Sequence, residues 1–176
     1  MLREIGETEE VADLESLIGE VVERPNHLSL DWLDLNAWSA VPTESANYFA
    51  QKTAQRIAYA GSALGETECY AVATEAVQNT PLAYRLSLTT EALVEFGESA
   101  YPVLYVLLPR SRKFAILCTP DYHLVAGPRS FVVDALGMSL GEARSRYAAL
   151  FTSKKWPEHM RVWYEGILER YERFGR

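Results

Sequence analysis

Apolar residues recur at helical spacing near both ends of the chain and at alternating spacing in the middle. Val11, Leu14, Leu17, Ile18, Val21 and Val22 predict an amphipathic helix over residues 9–23. Thr8 suits its N-cap, Glu9 and Glu10 suit the positive end of its dipole, and Pro25 stops it. The stretch from His27 to Asn36 alternates only briefly and fits a strand or a packed loop; Trp32 and Trp38 stand in and beside it. Ala46, Phe49, Ala50, Ile57 and Ala60 line one face of a second predicted helix over 43–60, with Thr43 as its cap and Gly61 or Gly65 at its end.

The period then changes to two. Residues 68–74 and 82–88 read as strands joined by the turn Gln78-Asn79-Thr80-Pro81. A short helix over Thr90–Phe96, closed by Gly97, leads to three further strands at 103–108, 114–119 and 123–126. Their links, Pro109-Arg110-Ser111-Arg112 and Pro120-Asp121, are too short for anything but antiparallel neighbours. Gly127-Pro128 opens a helix that Gly137 closes, and Ser139-Leu140-Gly141-Glu142 is a capping box for the next. From Pro157 onward, Met160, Trp163, Tyr164, Ile167, Leu168, Tyr171 and Phe174 form one broad apolar face, with Trp163, Ile167, Leu168 and Tyr171 expected in the core. Helices, then strands, then helices indicate α+β. The expected architecture is a single domain over 1–176, with about five mainly antiparallel strands flanked by N-terminal and C-terminal helices and packed on the 43–60 and 157–174 helices.

Composition supports that scale. A chain of 176 residues with 48% hydrophobic side chains can bury a core without staples. Its longest strongly apolar run, 103–108, is far short of a membrane span, and the acidic N-terminus resembles no secretory or transit signal, so a cytoplasmic protein is expected. Cys69 and Cys118 form no CxxC pair and are expected as buried, reduced thiols.

The net charge of −7 is unevenly spread. Residues 1–36, an acidic N-terminal segment, hold 10 acidic and 2 basic side chains, whereas residues 109–176 hold 12 basic and 7 acidic. An acidic chain gains no general attraction to nucleic acid or anionic membranes, so neither is expected as a partner.

Local chemistry is sparse. Gly61-Ser62-Ala63-Leu64-Gly65 lacks the lysine of a phosphate-binding loop. The histidines His27, His123 and His159 are far apart, so no metal or other cofactor is expected. Cys118, Asp121, Tyr122 and His123 share one hairpin, where a thiol–imidazole pair is conceivable. Cys118 and His123 lie on opposite sides of the turn, however, and the favoured reading gives Asp121 a turn role, Tyr122 and His123 a solvent-facing edge and Cys118 a core role. Arg110, Arg112 and Lys113, joined by Arg129, Arg144, Arg146, Lys154 and Lys155, hold a phosphate or an acidic surface if they converge. Trp32 or Trp38 anchors a partner if exposed. The candidate binding set is therefore Trp32, Trp38, Arg110, Arg112, Lys113, Asp121, Tyr122 and His123.

The strand–turn–strand and Gly-Pro helix start over residues 114–136 resemble small bacterial domains of the immunity-protein or antitoxin kind. The likeness spans about 20 residues without a specific motif and carries no residue role. It agrees with the leading expectation, a non-catalytic interaction or adaptor protein that meets another protein through its acidic face, with a homo-oligomer left open. The alternative is an enzyme assembled from Glu66, Glu68, Glu75, Asp121 and His123, or a small-molecule sensor, either with a pocket between sheet and helices. A flat acidic patch favours the first reading, and a pocket with converging polar groups favours the alternative.

Overall fold

A computed structural model describes residues 1–6, 8–45, 49–78, 80–100, 103–153 and 156–176. Among these, nine strands occur: β1 (Leu2–Glu4), β2 (Val22–Arg24), β3 (His27–Leu28), β4 (Ser39–Glu44), β5 (Glu68–Ala73), β6 (Ala83–Ser87), β7 (Tyr105–Leu108), β8 (Ala115–Cys118) and β9 (Tyr122–Gly127). Seven of them form one sheet in the order β1-β6-β5-β7-β8-β9-β4, and every neighbouring pair is antiparallel. β2 and β3 make a separate two-stranded ribbon. The helices are α1 (Thr8–Val21), α2 (Leu30–Leu35), α3 (Gln51–Ala63), α4 (Thr90–Ala100), α5 (Arg129–Leu136), α6 (Leu140–Ser153) and α7 (Glu158–Arg170). No described helix is long and apolar enough to cross a membrane.

The sheet is covered on both faces, which is why its central strands read as continuous apolar runs. Every residue of β7, β8 and β9 is buried. Alternation divides their side chains between two cores. Cys69, Ala71, Tyr105, Leu107, Ile116, Cys118 and Val125 meet α3, α4 and α5 on one face. Tyr70, Val72, Val106, Leu108, Leu117, Tyr122 and Leu124 meet α1, α2, α6 and α7 on the other. The fold is thus α+β with three layers, and the 43–60 and 157–174 segments supply helices to opposite faces.

The mainly antiparallel sheet agrees roughly with the expected count of about five strands; it has seven, with β1 and β4 at its edges. One expectation is corrected there. Residues 39–44 pair along their whole length with β9, from Ser39↔Gly127 to Glu44↔Tyr122. Pro42 is tolerated there because an edge strand need not donate on its outer side. Thr43 therefore caps no helix, and its hydroxyl donates to the His123 carbonyl at 3.5 Å. The helix behind it starts only after Ala50, which makes no side-chain cap. Ala46 lies outside the described residues.

Elsewhere the differences are local. Residues 26–38 hold β3 and a short helix, α2, whose N-cap Ser29 accepts from the Trp32 N–H at 3.2 Å. Gly97 does not end α4, which continues to Ala100. Gly137 does close α5, in the left-handed region at φ +64°, and the Arg56 guanidinium lies where a Cβ would stand. Of the capping box, Ser139 accepts from the Glu142 N–H at 3.2 Å, while Glu142 turns instead to Arg146. In α7, Ile167 and Tyr171 are buried as expected; Trp163 and Leu168 are only half-buried, and Tyr164 takes the deeper place.

The acidic N-terminal segment docks on the basic C-terminal part of the chain. Glu20 pairs with Arg112, Glu23 with Arg170 at 2.5 Å, and Asp34 with Arg173. These partly exposed pairs are worth about 0–1 kcal/mol each, so Leu14, Ile18 and Val21, all buried, do most of the holding. The side chains of Thr8, Glu9 and Glu10 lie outside the described residues.

Candidate functional site

The candidate residues divide between opposite ends of β8. Arg110, Arg112 and Lys113 belong to the β7–β8 turn, whereas Asp121 lies in the β8–β9 turn and Tyr122 and His123 open β9. The basic trio is used within the chain. Arg110 donates to the Tyr70 hydroxyl at 3.1 Å and lies over its ring, Arg112 pairs with Glu20, and Lys113 bridges Glu66 at 3.0 Å and the Leu64 carbonyl at 2.8 Å. Of the further basic residues, Arg129 donates to the Arg176 carbonyl and Arg146 pairs with Glu142, while Lys154 and Lys155 lie outside the described residues. Among the described residues these groups do not converge on one spot.

Trp32 is 7% exposed and meets the edge of Trp38 with ring centroids 4.5 Å apart, so its indole belongs to the core. Tyr122 is buried and donates its phenol to the Asn26 carbonyl. Glu66 and Glu68 are held by Lys113 and Arg85, at the end of β5 away from the β8–β9 turn, and Glu75 is exposed beyond the other end of that strand. Of the five acidic and imidazole candidates for an assembled enzyme site, Asp121 and His123 are neighbours in sequence at the β8–β9 hairpin, but they line different hollows.

Around that turn the surface is hollow. A cleft of about 250 Å³ opens between the end of β4 and helices α3, α5 and α6, lined by Thr43, Glu44, Thr53, Arg56, His123 and Arg146 among others. Phe49, Leu136, Met138, Ala143 and Leu150 add apolar wall. A second recess of about 240 Å³ shares Glu44 and Leu150 with it and includes Ser45, Asp121, Trp156 and Tyr164. A small void of about 30 Å³, enough for a water molecule, lies behind His123 against Phe96, Tyr105 and Cys118.

His123 is the hinge between the void and the cleft. It is 9% exposed, its Nε2 lies 3.4 Å from the Ser45 hydroxyl, and its ring stacks at a tilt on Phe49. Burial pushes its pKa down to about 4, so the imidazole is neutral at pH 7. Cys118 faces it across the β8–β9 ladder, and burial pushes that thiol well above its ordinary value. The neighbours are therefore a thiol and a neutral imidazole, opposite in charge state to an activated cysteine–histidine pair. Among the described residues no three His, Cys, Asp or Glu side chains gather as a metal site.

Arg56 is not singled out by the sequence. It is half-buried, and its Nη1 donates to the Leu136 carbonyl at 2.8 Å, a cation on the last turn of α5. Gly137 leaves room for the guanidinium to lie flat against the backbone. Among the described residues no carboxylate stands within ion-pair distance of it. Glu44 is not singled out either, because the sequence assigns it to a helix start. Arg56 carries no sequence signal; its place depends on where α3 and α5 cross.

Comparisons of the chain with protein-family models, with curated proteins and with solved structures find no match.

Proposed function

We propose that this chain is a small-molecule-binding protein whose site is the cleft between β4, α3, α5 and α6. The observation that carries this reading is the convergence of Thr43, Glu44, Thr53, Arg56, His123 and Arg146 on one concave, partly apolar space at the end of the sheet. A few placed polar groups in an apolar wall are what fix and orient a small ligand, and the volume lies just under the usual range for such sites. The neutral imidazole and high-pKa thiol favour a sensor or carrier over a nucleophilic enzyme. A fragment screen read by amide chemical shifts tests it. Hits should move Thr53, His123 and Ala143 together, and hits that move only other surfaces would contradict it.

A protein-interaction role, as an adaptor or an immunity-type partner, keeps one specific support. α4 exposes Glu91, Glu95 and Glu98 along one face, and none has an ion-pair partner among the described residues. Like charges at this spacing destabilise a helix slightly. A basic partner would relieve that cost and be steered toward α4. An oligo-arginine peptide titrated at low ionic strength should then shift α4 amides in the wild type and not in the Glu91→Gln, Glu95→Gln, Glu98→Gln variant.

A further inference from the structure

We infer that the cleft's ligand carries a carboxylate, seated on Arg56, with a small apolar body lying against Leu136, Met138, Ala143 and Leu150. The inference rests on the ligand-binding reading and adds the chemical class. Its basis is the state of Arg56. A half-buried guanidinium normally finds an anion, because removing it from water is costly unless the charge is met. Among the described residues the hydrogen-bond partner of Arg56 is the Leu136 carbonyl, through Nη1, and no carboxylate pairs with it.

The anchoring of Arg56 matters as much as its burial. One hydrogen bond to the end of α5 and the flat seat on Gly137 fix the guanidinium before any ligand arrives. The remaining N–H groups form a rigid fork that matches a carboxylate in two parallel bonds. Preorganisation of this kind reduces the ordering cost of binding. The other cleft arginine, Arg146, is exposed and already balanced by Glu142. His123 is neutral and adds no charge at pH 7.

The size and lining set the rest of the molecule. About 250 Å³ equals roughly eight waters at about 30 Å³ each, room for a single ring or a short chain. Leu136, Met138, Ala143 and Leu150 offer that body an apolar wall, while Thr43 and Thr53 offer hydroxyls for one further polar group.

The test uses the full chain at pH 7 and calorimetric titration with benzoate, hexanoate and 3-phenylpropanoate beside their primary amides, which match them in shape and lack the charge. The acids should bind about tenfold more tightly than the amides, the ratio expected when a charge-assisted bond replaces a neutral one. Arg56→Gln should bring that ratio close to one, the acids losing about tenfold more affinity than the amides, and unaltered amide chemical shifts away from the cleft show that the fold is intact. Arg56→Lys should keep part of it. If Arg56→Gln does not fold, the acid-to-amide ratio of the wild type and of Arg56→Lys decides. Equal binding of acids and amides would overturn the carboxylate inference and leave the ligand-binding reading standing. Binding of neither class would overturn both. An acid preference that survives in Arg56→Gln would remove Arg56 from the site.

Discussion

Cys118 and His123 stand opposite each other on β8 and β9, with both side chains on the face that carries Phe49. The turn bond from the Thr119 N–H to the Tyr122 carbonyl, 3.0 Å, makes the adjoining pair one that exchanges no ladder hydrogen bonds, where side chains approach most closely. Their burial has opposite effects on the two charges: it withholds the proton from the imidazole and keeps it on the thiol.

The consequence for His123 is a loss of stability in acid. Its folded pKa of about 4 lies below the ordinary 6.5, so between those values the unfolded chain takes up a proton that the folded chain refuses. Stability is full above pH 6.5 and declines as pH falls toward 4, by about 3 kcal/mol from this group. His27, lowered chiefly by burial and then by Arg170 and Arg24, acts in the same direction. Denaturant unfolding at pH 7, 5 and 4 should show the decline, and His123→Leu should remove most of it while leaving the part due to His27. An unchanged slope in that variant would place the acid sensitivity elsewhere.

The thiols should be inert in the folded protein. Both cysteines are buried and free, and burial raises both pKa values. Labelling by a thiol-reactive disulfide should follow the opening rate of the fold and accelerate only in denaturant. Fast native-state labelling of Cys118 would mean that the thiol is accessible from the void beside His123.

Two tyrosines distinguish a satisfied hydroxyl from an unsatisfied one. The Tyr171 hydroxyl accepts from the Leu28 N–H at 3.0 Å and donates to the Leu28 carbonyl at 3.3 Å. The Tyr147 hydroxyl is buried without a hydrogen-bond partner among the described residues. Tyr171→Phe should cost about 1–3 kcal/mol, because it strands the Leu28 groups, whereas Tyr147→Phe should be neutral or slightly stabilising. Equal losses in thermal melts of the two variants would contradict the assignment.

The acidic segment gives a contrast of the same sort. Neutralising Glu20, Glu23 and Asp34 should lower stability by no more than about 1 kcal/mol each and weaken its salt dependence, since the pairs are partly exposed. Leu14→Ala, which removes a buried anchor of α1, should cost about 2–5 kcal/mol. Comparable losses from both kinds of change would mean that charge holds the helix down.

Legibility followed period and punctuation. The strands from β5 to β9 and the helices after Gly127 were readable because alternation, short turns and Gly-Pro signals act locally. β4 was not, since Thr43-Glu44 imitates a helix start and Pro42 argues against a strand; its six-residue register with β9 is a long-range fact. β1 has only three residues and no pattern of its own. The site was half legible. His123 and Asp121 were singled out by the density of their hairpin. Arg56 was not, because its fixed position arises from the crossing of α3 over the end of α5. The basic trio looked like a site in sequence and proves to be a set of ties between the β7–β8 turn, α1 and the loop before β5.

On the proposal above, the cleft at the end of the sheet receives a small ligand through Arg56. The most direct measurement is a crystal structure of the full chain with the tightest-binding carboxylate of the panel. Density is expected between α3, α5 and α6, with the carboxylate oxygens at hydrogen-bond distance from the Arg56 guanidinium and the apolar body on Met138 and Leu150. A carboxylate that binds in solution but is found elsewhere in the crystal, with the cleft holding only water, would contradict it.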